Sequence, residues 1–250
     1  MSVTNRDFGA GALLAVDGLS KSFGNIQVAD DLTFSIQPGE ALGIIGPNGA
    51  GKSSIFNLIS GNLRPDKGRI FFAGEDVTRL RPYRRCRQGI GRTYQIPQPF
   101  SKITVFENLL ISAVFGGRIA ERESYEKCAG ILERTGLLNK ANSPAGVLTL
   151  LERKRLELAR ALASSPRLLL LDEIAGGLTE HEAVELVATI KDIHAAGTAI
   201  LWIEHVVRAL TGVISRVLVI YFGSKIMDGD PRTVLSSAEV KRIYLGIEIS

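Results

Sequence analysis

The run Gly46-Pro47-Asn48-Gly49-Ala50-Gly51-Lys52-Ser53-Ser54 carries the densest chemistry in the chain. Its spacing is glycine, four residues, then Gly-Lys-Ser, the pattern of a loop that cradles phosphate. Glycines let the backbone fold tightly and aim several N–H groups at one point. Lys52 adds a point charge for β- and γ-phosphates, and Ser53 offers a hydroxyl to Mg²⁺. A second run, Arg167-Leu168-Leu169-Leu170-Leu171-Asp172-Glu173, is apolar until it ends in two carboxylates. Asp172 can hold Mg²⁺ opposite Ser53, and Glu173 can polarise an attacking water as general base. A third run, Thr198 to His205, repeats the design and ends in Glu204-His205. His205 can reach a γ-phosphate, although a lone histidine at a strand end also serves structure. Gln95 closes a further apolar stretch before Ile96-Pro97, where the proline stops regular structure, and is a candidate for contact with Mg²⁺ and water. Metal, charge and a positioned water together are what phosphoryl transfer needs, so nucleotide phosphates and Mg²⁺ are the implied ligands.

Such groups need rigid supports. Ala41-Leu42-Gly43-Ile44-Ile45 precedes the glycine loop and has the continuous apolar character of a strand buried on both faces. After the loop, Ile55, Leu58 and Ile59 fall at i, i+3 and i+4, a helical stripe, and Gly61 is placed to end that helix. The order is strand, loop, helix, with the helix N-terminus aimed at the phosphates. A flexible glycine turn that binds nothing would not need both correct flanks. Thr149 with Glu152, and Thr179 with Glu182, have capping-box spacing ahead of two more helical stripes.

The chain of 250 residues, 45% hydrophobic, suffices for one large domain or a core with an inserted subdomain. No apolar window approaches the ~18 residues of a membrane span, and residues 1–12 read as a polar tail without the apolar centre of a secretory signal. Cys86 and Cys128 have no metal spacing and are expected as free thiols, which fits a reducing cytosol. The net charge of +4 is local: six arginines, Arg79, Arg81, Arg84, Arg85, Arg87 and Arg92, lie together with no acid among them. The remainder is near neutral, which argues against a nucleic-acid-binding face. The cluster reads as a solvated helix face, or as a surface for anionic headgroups, a partner loop or RNA.

In this order the residues resemble an ATP-binding cassette ATPase of the transporter type, over nearly the whole chain. The fold implied is α/β: a P-loop NTPase core with a mostly parallel sheet, an antiparallel β edge and an inserted α-helical subdomain. Boundaries are expected near 13–96 and 166–234 for the core, 97–165 for the helical subdomain and 235–250 for a helical tail. The antiparallel strands are expected around 13–36 and 69–73. The resemblance implies that Phe23 stacks on adenine, although a core strand aromatic reads the same way. It implies that residues Gly46 to Ser54 bind the phosphates, that Ser53, Gln95 and Asp172 serve Mg²⁺, that Glu173 is the base and that His205 is the switch. Gly89-Ile90-Gly91-Arg92-Thr93-Tyr94-Gln95, Ile203-Glu204-His205, Ala175-Gly176-Gly177-Leu178-Thr179 and the tail from Asp228 are most similar to the ATP-binding subunits of branched-chain amino acid (or related amide) importers. Implied partners are a second ATPase subunit, two transmembrane permease subunits and, indirectly, an extracytoplasmic solute-binding protein. The implied place is the cytoplasmic face of the membrane. Lipid or lipopolysaccharide transport, and a soluble cassette acting on nucleic acid or ribosomes, are the alternatives.

The chain departs from the family pattern at its signature. Where Leu-Ser-Gly-Gly-Gln is usual, Leu148-Thr149-Leu150-Leu151-Glu152 stands here. Thr149, Leu150, Leu151 and Glu152 would cover the partner's ATP, with both glycines lost and close backbone approach in doubt. Ile174 replaces a usual proline, and Thr179 a usual aspartate. A heterodimer with two unequal sites is expected, a homodimer being the alternative.

Overall fold

Runs that are apolar at every position become strands covered on both faces, and this chain sorts its layers by that rule. The computed structural model describes residues 11–204, 210 and 212–245. In chain order the first elements are β1 (Leu14–Phe23), β2 (Ile26–Ile36), β3 (Ala41–Ile45), α1 (Lys52–Ser60), β4 (Lys67–Phe72) and β5 (Glu75–Asp76). Next come α2 (Pro82–Gln88), β6 (Ile90–Arg92), α3 (Val105–Ile111), α4 (Glu121–Arg134) and α5 (Leu150–Ala163). The chain continues through β7 (Leu168–Asp172), α6 (Glu180–Ala195), β8 (Ala199–Ile203), β9 (Arg216–Tyr221), β10 (Ser224–Gly229), α7 (Pro231–Ser236) and α8 (Ala238–Leu245).

The central sheet has the order β10-β9-β3-β8-β7-β6, parallel except for the β9–β10 hairpin. Its strands alternate between two cores. Leu42 and Ile44 of β3, with Leu168 and Leu170 of β7, join α1 and the antiparallel strands on one side. Ala41 and Ile45, with Leu169 and Leu171, join α3 to α6 on the other. The antiparallel strands form a sheet of their own, β2-β1-β4-β5, with Val16 opposite both Phe34 and Ile70. The apolar face of this second sheet, including Leu19, Phe34, Ile36 and Phe72, packs on α1 rather than extending the central sheet.

The two sheets meet where β2 runs beside β10. Asp30 donates its N–H to the Gly223 carbonyl, and Lys225 donates to the Thr33 carbonyl at 2.8 Å. Arg216 clamps the same seam. It binds both oxygens of Asp228 at 2.6 and 2.8 Å, and Glu40 and the Ser35 carbonyl through its remaining amino group. Among the described residues, 97–165 holds helices and turns and no strand. Three helices here and beyond, α3, α5 and α6, start with a threonine that caps a glutamate three residues on, and the glutamate reciprocates. None of the described helices is long and apolar enough to cross a membrane. Cys86 and Cys128 are free thiols.

The arginine cluster is not one solvated face. Arg79, Arg81, Arg84 and Arg87 are exposed, but Arg85 is 1% exposed. Its guanidinium donates to the carbonyls of Leu58 and Ile59 at the end of α1, and to those of Thr78 and Leu80. Burial draws its pKa down to about 10. An arginine at this depth closes the helix end that Gly61 alone cannot satisfy. Arg85→Met should therefore leave several carbonyls without a donor and lower stability by about 3 kcal/mol. Urea unfolding of the variant measures the loss.

Candidate active site

The glycine loop lies where both sheets come closest. Gly46 has φ 159° and Gly51 has φ 99°. A Cβ at Gly46 would stand 2.1 Å from the Ile220 carbonyl oxygen of β9, and one at Gly51 would stand 2.2 Å from the Val28 carbonyl oxygen of β2. No side chain fits either place. The loop bounds a cleft of about 600 Å³, lined by Val28, Asn48, Gly49, Gly51, Lys52, Ser53, Ser54, Gln95 and Glu173. Lys52 is almost wholly buried and donates to the Gly46 and Pro47 carbonyls at 2.7 and 2.9 Å. Burial lowers its pKa, while Glu173 and Asp172 pull the other way. No side chain caps the N-terminus of α1, so its first N–H groups remain for an anion.

Asp172 ends β7 and is buried. Its Oδ2 accepts from Arg92 at 2.9 Å, and its Oδ1 is buried without a hydrogen-bond partner. Burial raises its pKa, opposed first by the Arg92 hydrogen bond. Arg92 also donates to Asn57 Oδ1 and Ser60 Oγ of α1, at 2.7 and 3.0 Å, and its guanidinium lies 4.9 Å from the Tyr94 ring centroid. The strand tip and the loop helix are thus tied by one guanidinium. An unpartnered carboxylate oxygen and the Ser53 hydroxyl in the first turn of α1 are the hard oxygen donors that Mg²⁺ takes, and the residues present fit that ion.

Glu173 follows in a left-handed conformation, φ 44°. A side-chain-bearing residue there costs roughly 1–3 kcal/mol and persists only when its surroundings hold it. Its N–H donates to the Ile203 carbonyl at 2.9 Å, and its carboxylate accepts from Gln95 Nε2 at 2.6 Å. Gln95 therefore meets the second carboxylate of the run. Glu204 is buried and accepts from the Ala175 N–H, holding the loop after β7 beneath the site. His205 lies outside the described residues.

The other expected site residues lie elsewhere. Phe23 ends β1 at the hairpin, half-exposed, with the Lys21 ammonium 5.4 Å from its ring centroid. It does not line the cleft; Val28 is the β2 residue that does. Thr149 caps α5, accepting from the Glu152 N–H at 3.3 Å, while its own N–H donates to the Glu152 carboxylate at 2.9 Å. Leu150 is exposed and leans toward Gly177, where a Cβ would meet its Cδ2 at 3.4 Å; Leu151 packs on the core. Sequence reasoning missed Arg92, Lys154 and Val28. Arg92 was hidden in the arginine run, and Val28 offers only its backbone.

A family model described as ABC transporter matches residues 29–176. The chain belongs to the ABC transporter family. It is 35% identical to the high-affinity branched-chain amino acid transport ATP-binding protein LivG of Escherichia coli K12, over 94% of this chain and 98% of that one. It is 32% identical to the lipopolysaccharide export system ATP-binding protein LptB of Haemophilus influenzae, over 94% and 98%. Among solved structures, the ADP conformation of MJ1267, an ATP-binding cassette of an ABC transporter, superposes with a TM-score of 0.86 at 32% identity, covering 94% of this chain and 99% of that one. The chain is an α/β ATPase cassette, the ATP-binding subunit of a transporter.

The cassette's cleft depends on bare backbone. Gly51→Ala should push β2 off the loop and weaken ATP binding by more than about tenfold, or roughly 1.4 kcal/mol. Titration with a fluorescent ATP analogue reads the change.

Proposed function

We propose that this cassette energises an importer of branched-chain amino acids or related small polar solutes. Main-chain N–H groups of the loop from Gly46 to Ser54, in which Pro47 offers none, and the Lys52 ammonium hold the triphosphate. Glu173, held by Gln95 at 2.6 Å, takes the proton of the attacking water. Ser53, Gln95 and Asp172 would hold Mg²⁺, which would supply charge neutralisation at the phosphates. Phe23, outside the phosphate cleft on the β1–β2 hairpin, is the aromatic offered to adenine in this reading, and His205 is the sensor of the γ-phosphate.

The observation that carries the transport reading is the loop leaving Gln95. Ile96 is 72% and Phe100 50% exposed, yet the loop is anchored. Buried Asn108 accepts from the Phe100 N–H and donates to the Phe100 carbonyl, and the Arg160 guanidinium lies 5.2 Å from the Phe100 ring centroid. A fixed apolar tip next to the reacting groups suits a docking partner, here two permease subunits at the cytoplasmic face of the membrane, fed by a solute-binding protein outside. The likeness to LivG favours amino acids as cargo. The likeness to LptB supports lipopolysaccharide as the second reading.

The second cassette in the complex is a different chain in this reading. The Thr149 hydroxyl accepts from the Glu152 N–H of its own helix, and Leu150 stands where a glycine would allow close approach. A partner with an ordinary signature would complete this chain's own site. The purified chain alone should then hydrolyse ATP slowly and without positive cooperativity; two equivalent cooperative sites would refute the asymmetry. In the assembled transporter, Phe100→Asp should leave ATP binding intact and abolish leucine uptake into vesicles together with transport-linked hydrolysis. Loss of folding would instead make the loop ordinary packing.

A further inference from the structure

Lys154 lies in the second turn of α5 and is 2% exposed, although it carries an ammonium. Its Nζ donates to the main-chain carbonyl of Gln95 at 2.6 Å and reaches that of Glu173 at 3.4 Å. Burial lowers its pKa, and the charges of Glu204, Glu173, Glu157 and Asp172 pull the other way. A lone buried ammonium would cost several kcal/mol, and these carbonyls and carboxylates offset part of that cost.

The contacts close a ring. Gln95 and Glu173 touch through their side chains at 2.6 Å, and Lys154 holds the main chain of each from behind. Three separate segments supply the three residues: α5, the run after β6, and the tip of β7. Gln95 lies beyond the end of β6, just before Pro97, and Glu173 occupies a left-handed conformation that its neighbours must maintain. Without the ammonium, two carbonyls inside the protein lose a charged donor and the ring opens.

We propose that Lys154 is a positioning residue for hydrolysis: its ammonium sets the relative position of the Gln95 and Glu173 main chains and so the contact between their side chains. The inference rests on the reading of Glu173 as the base. Because Lys154 belongs to α5, the pair keeps its geometry only in one placement of that helix. A displacement of α5 as small as about 1 Å is enough to misalign a reacting group.

The test compares Lys154→Met, which keeps length and fills the space, with Lys154→Arg, Lys154→Gln and Glu173→Gln in the full chain. ATP turnover, affinity for a fluorescent ATP analogue, thermal midpoint and hydrogen exchange of residues 93–98 are measured for each. Lys154→Met should lower kcat about tenfold or more, with KM and affinity within about twofold, and should speed exchange in 93–98. Lys154→Arg, which can donate to the same carbonyls, should recover most of the turnover. Turnover of Lys154→Met within about twofold of the parent overturns the proposal. So does a loss of kcat, affinity and thermal midpoint together in all three lysine variants, because that is a structural role. If Lys154→Met does not fold, Lys154→Arg and Lys154→Gln decide by the same split between kcat and KM. Glu173→Gln separates the two readings. Should it still turn over ATP, the base assignment falls; should it be inactive while Lys154→Met is active, only the positioning role falls.

Discussion

Backbone meets backbone around the glycine loop, and the rest of the molecule is arranged to allow it. The Ile220 carbonyl of β9 and the Val28 carbonyl of β2 press on Gly46 and Gly51 at distances no Cβ could occupy. Those carbonyls come from two different sheets. The loop is therefore part of the seam between the sheets as well as the cradle of a ligand. Gly223 extends the same pattern, donating its N–H to the Ala50 carbonyl while its own carbonyl accepts from Asp30. The Arg216 clamp on Asp228, Glu40 and Ser35 fixes the sheets relative to one another a few residues away. Slack in that clamp would pass directly to the loop.

The buried charges follow from this seam. The strand tips at β7 and β8 bury Asp172 and Glu204, with Glu173 half-buried beside them, and that burial demands compensation. The chain supplies it with long cations from elements that are distant in sequence. Arg92 reaches Asp172 from the end of β6, Lys52 folds back on its own loop, and Lys154 enters from α5. Arg92 pairs directly with a carboxylate, whereas Lys52 and Lys154 donate to main-chain carbonyls near the carboxylates. Arg92 holds α1, and Lys154 holds two carbonyls. Charge compensation and mechanical linkage between segments are one device here, since a cation placed only for its charge would need no such second partner.

How much of this was legible in the sequence differs by the kind of interaction. β3, α1 and β7 were legible because an apolar run and a helical stripe are local patterns, and the polar residues at their ends could only face the same edge. The threonine caps of α5 and α6 were legible for the same reason. The separate sheet was less so: residues around 13–36 and 69–73 read as antiparallel strands, but which sheet they join depends on contacts with α1 that no local pattern states. The arginine run was the least legible. Arg84 and Arg85 are neighbours of one type, one exposed and one inserted against four carbonyls, and a backbone carbonyl leaves no letter in the sequence. Lys154 was hidden likewise, an ordinary residue on a helix whose apolar stripe drew attention instead.

The helix starts make the final distinction. α3, α5 and α6 satisfy their first N–H groups with a threonine and a glutamate of their own. α1 begins at Gly51, which has no side chain to give. A helix N-terminus carries roughly half a positive charge, and its orphan donors need an acceptor. Where the chain provides that acceptor, the end is finished and has little to offer an anion. Where it does not, as at α1 beside the Lys52 ammonium, the acceptor must come from outside. In the first turn of α5 the Thr149–Glu152 box takes up the N–H groups of those two residues, and the carboxylate of Glu152 adds a negative charge at that helix start. The same fold thus holds one helix start without a side-chain cap and another that carries a threonine cap and a carboxylate in its first turn. That contrast, rather than the loss of two glycines alone, is the physical basis for expecting two unequal sites in the assembled pair.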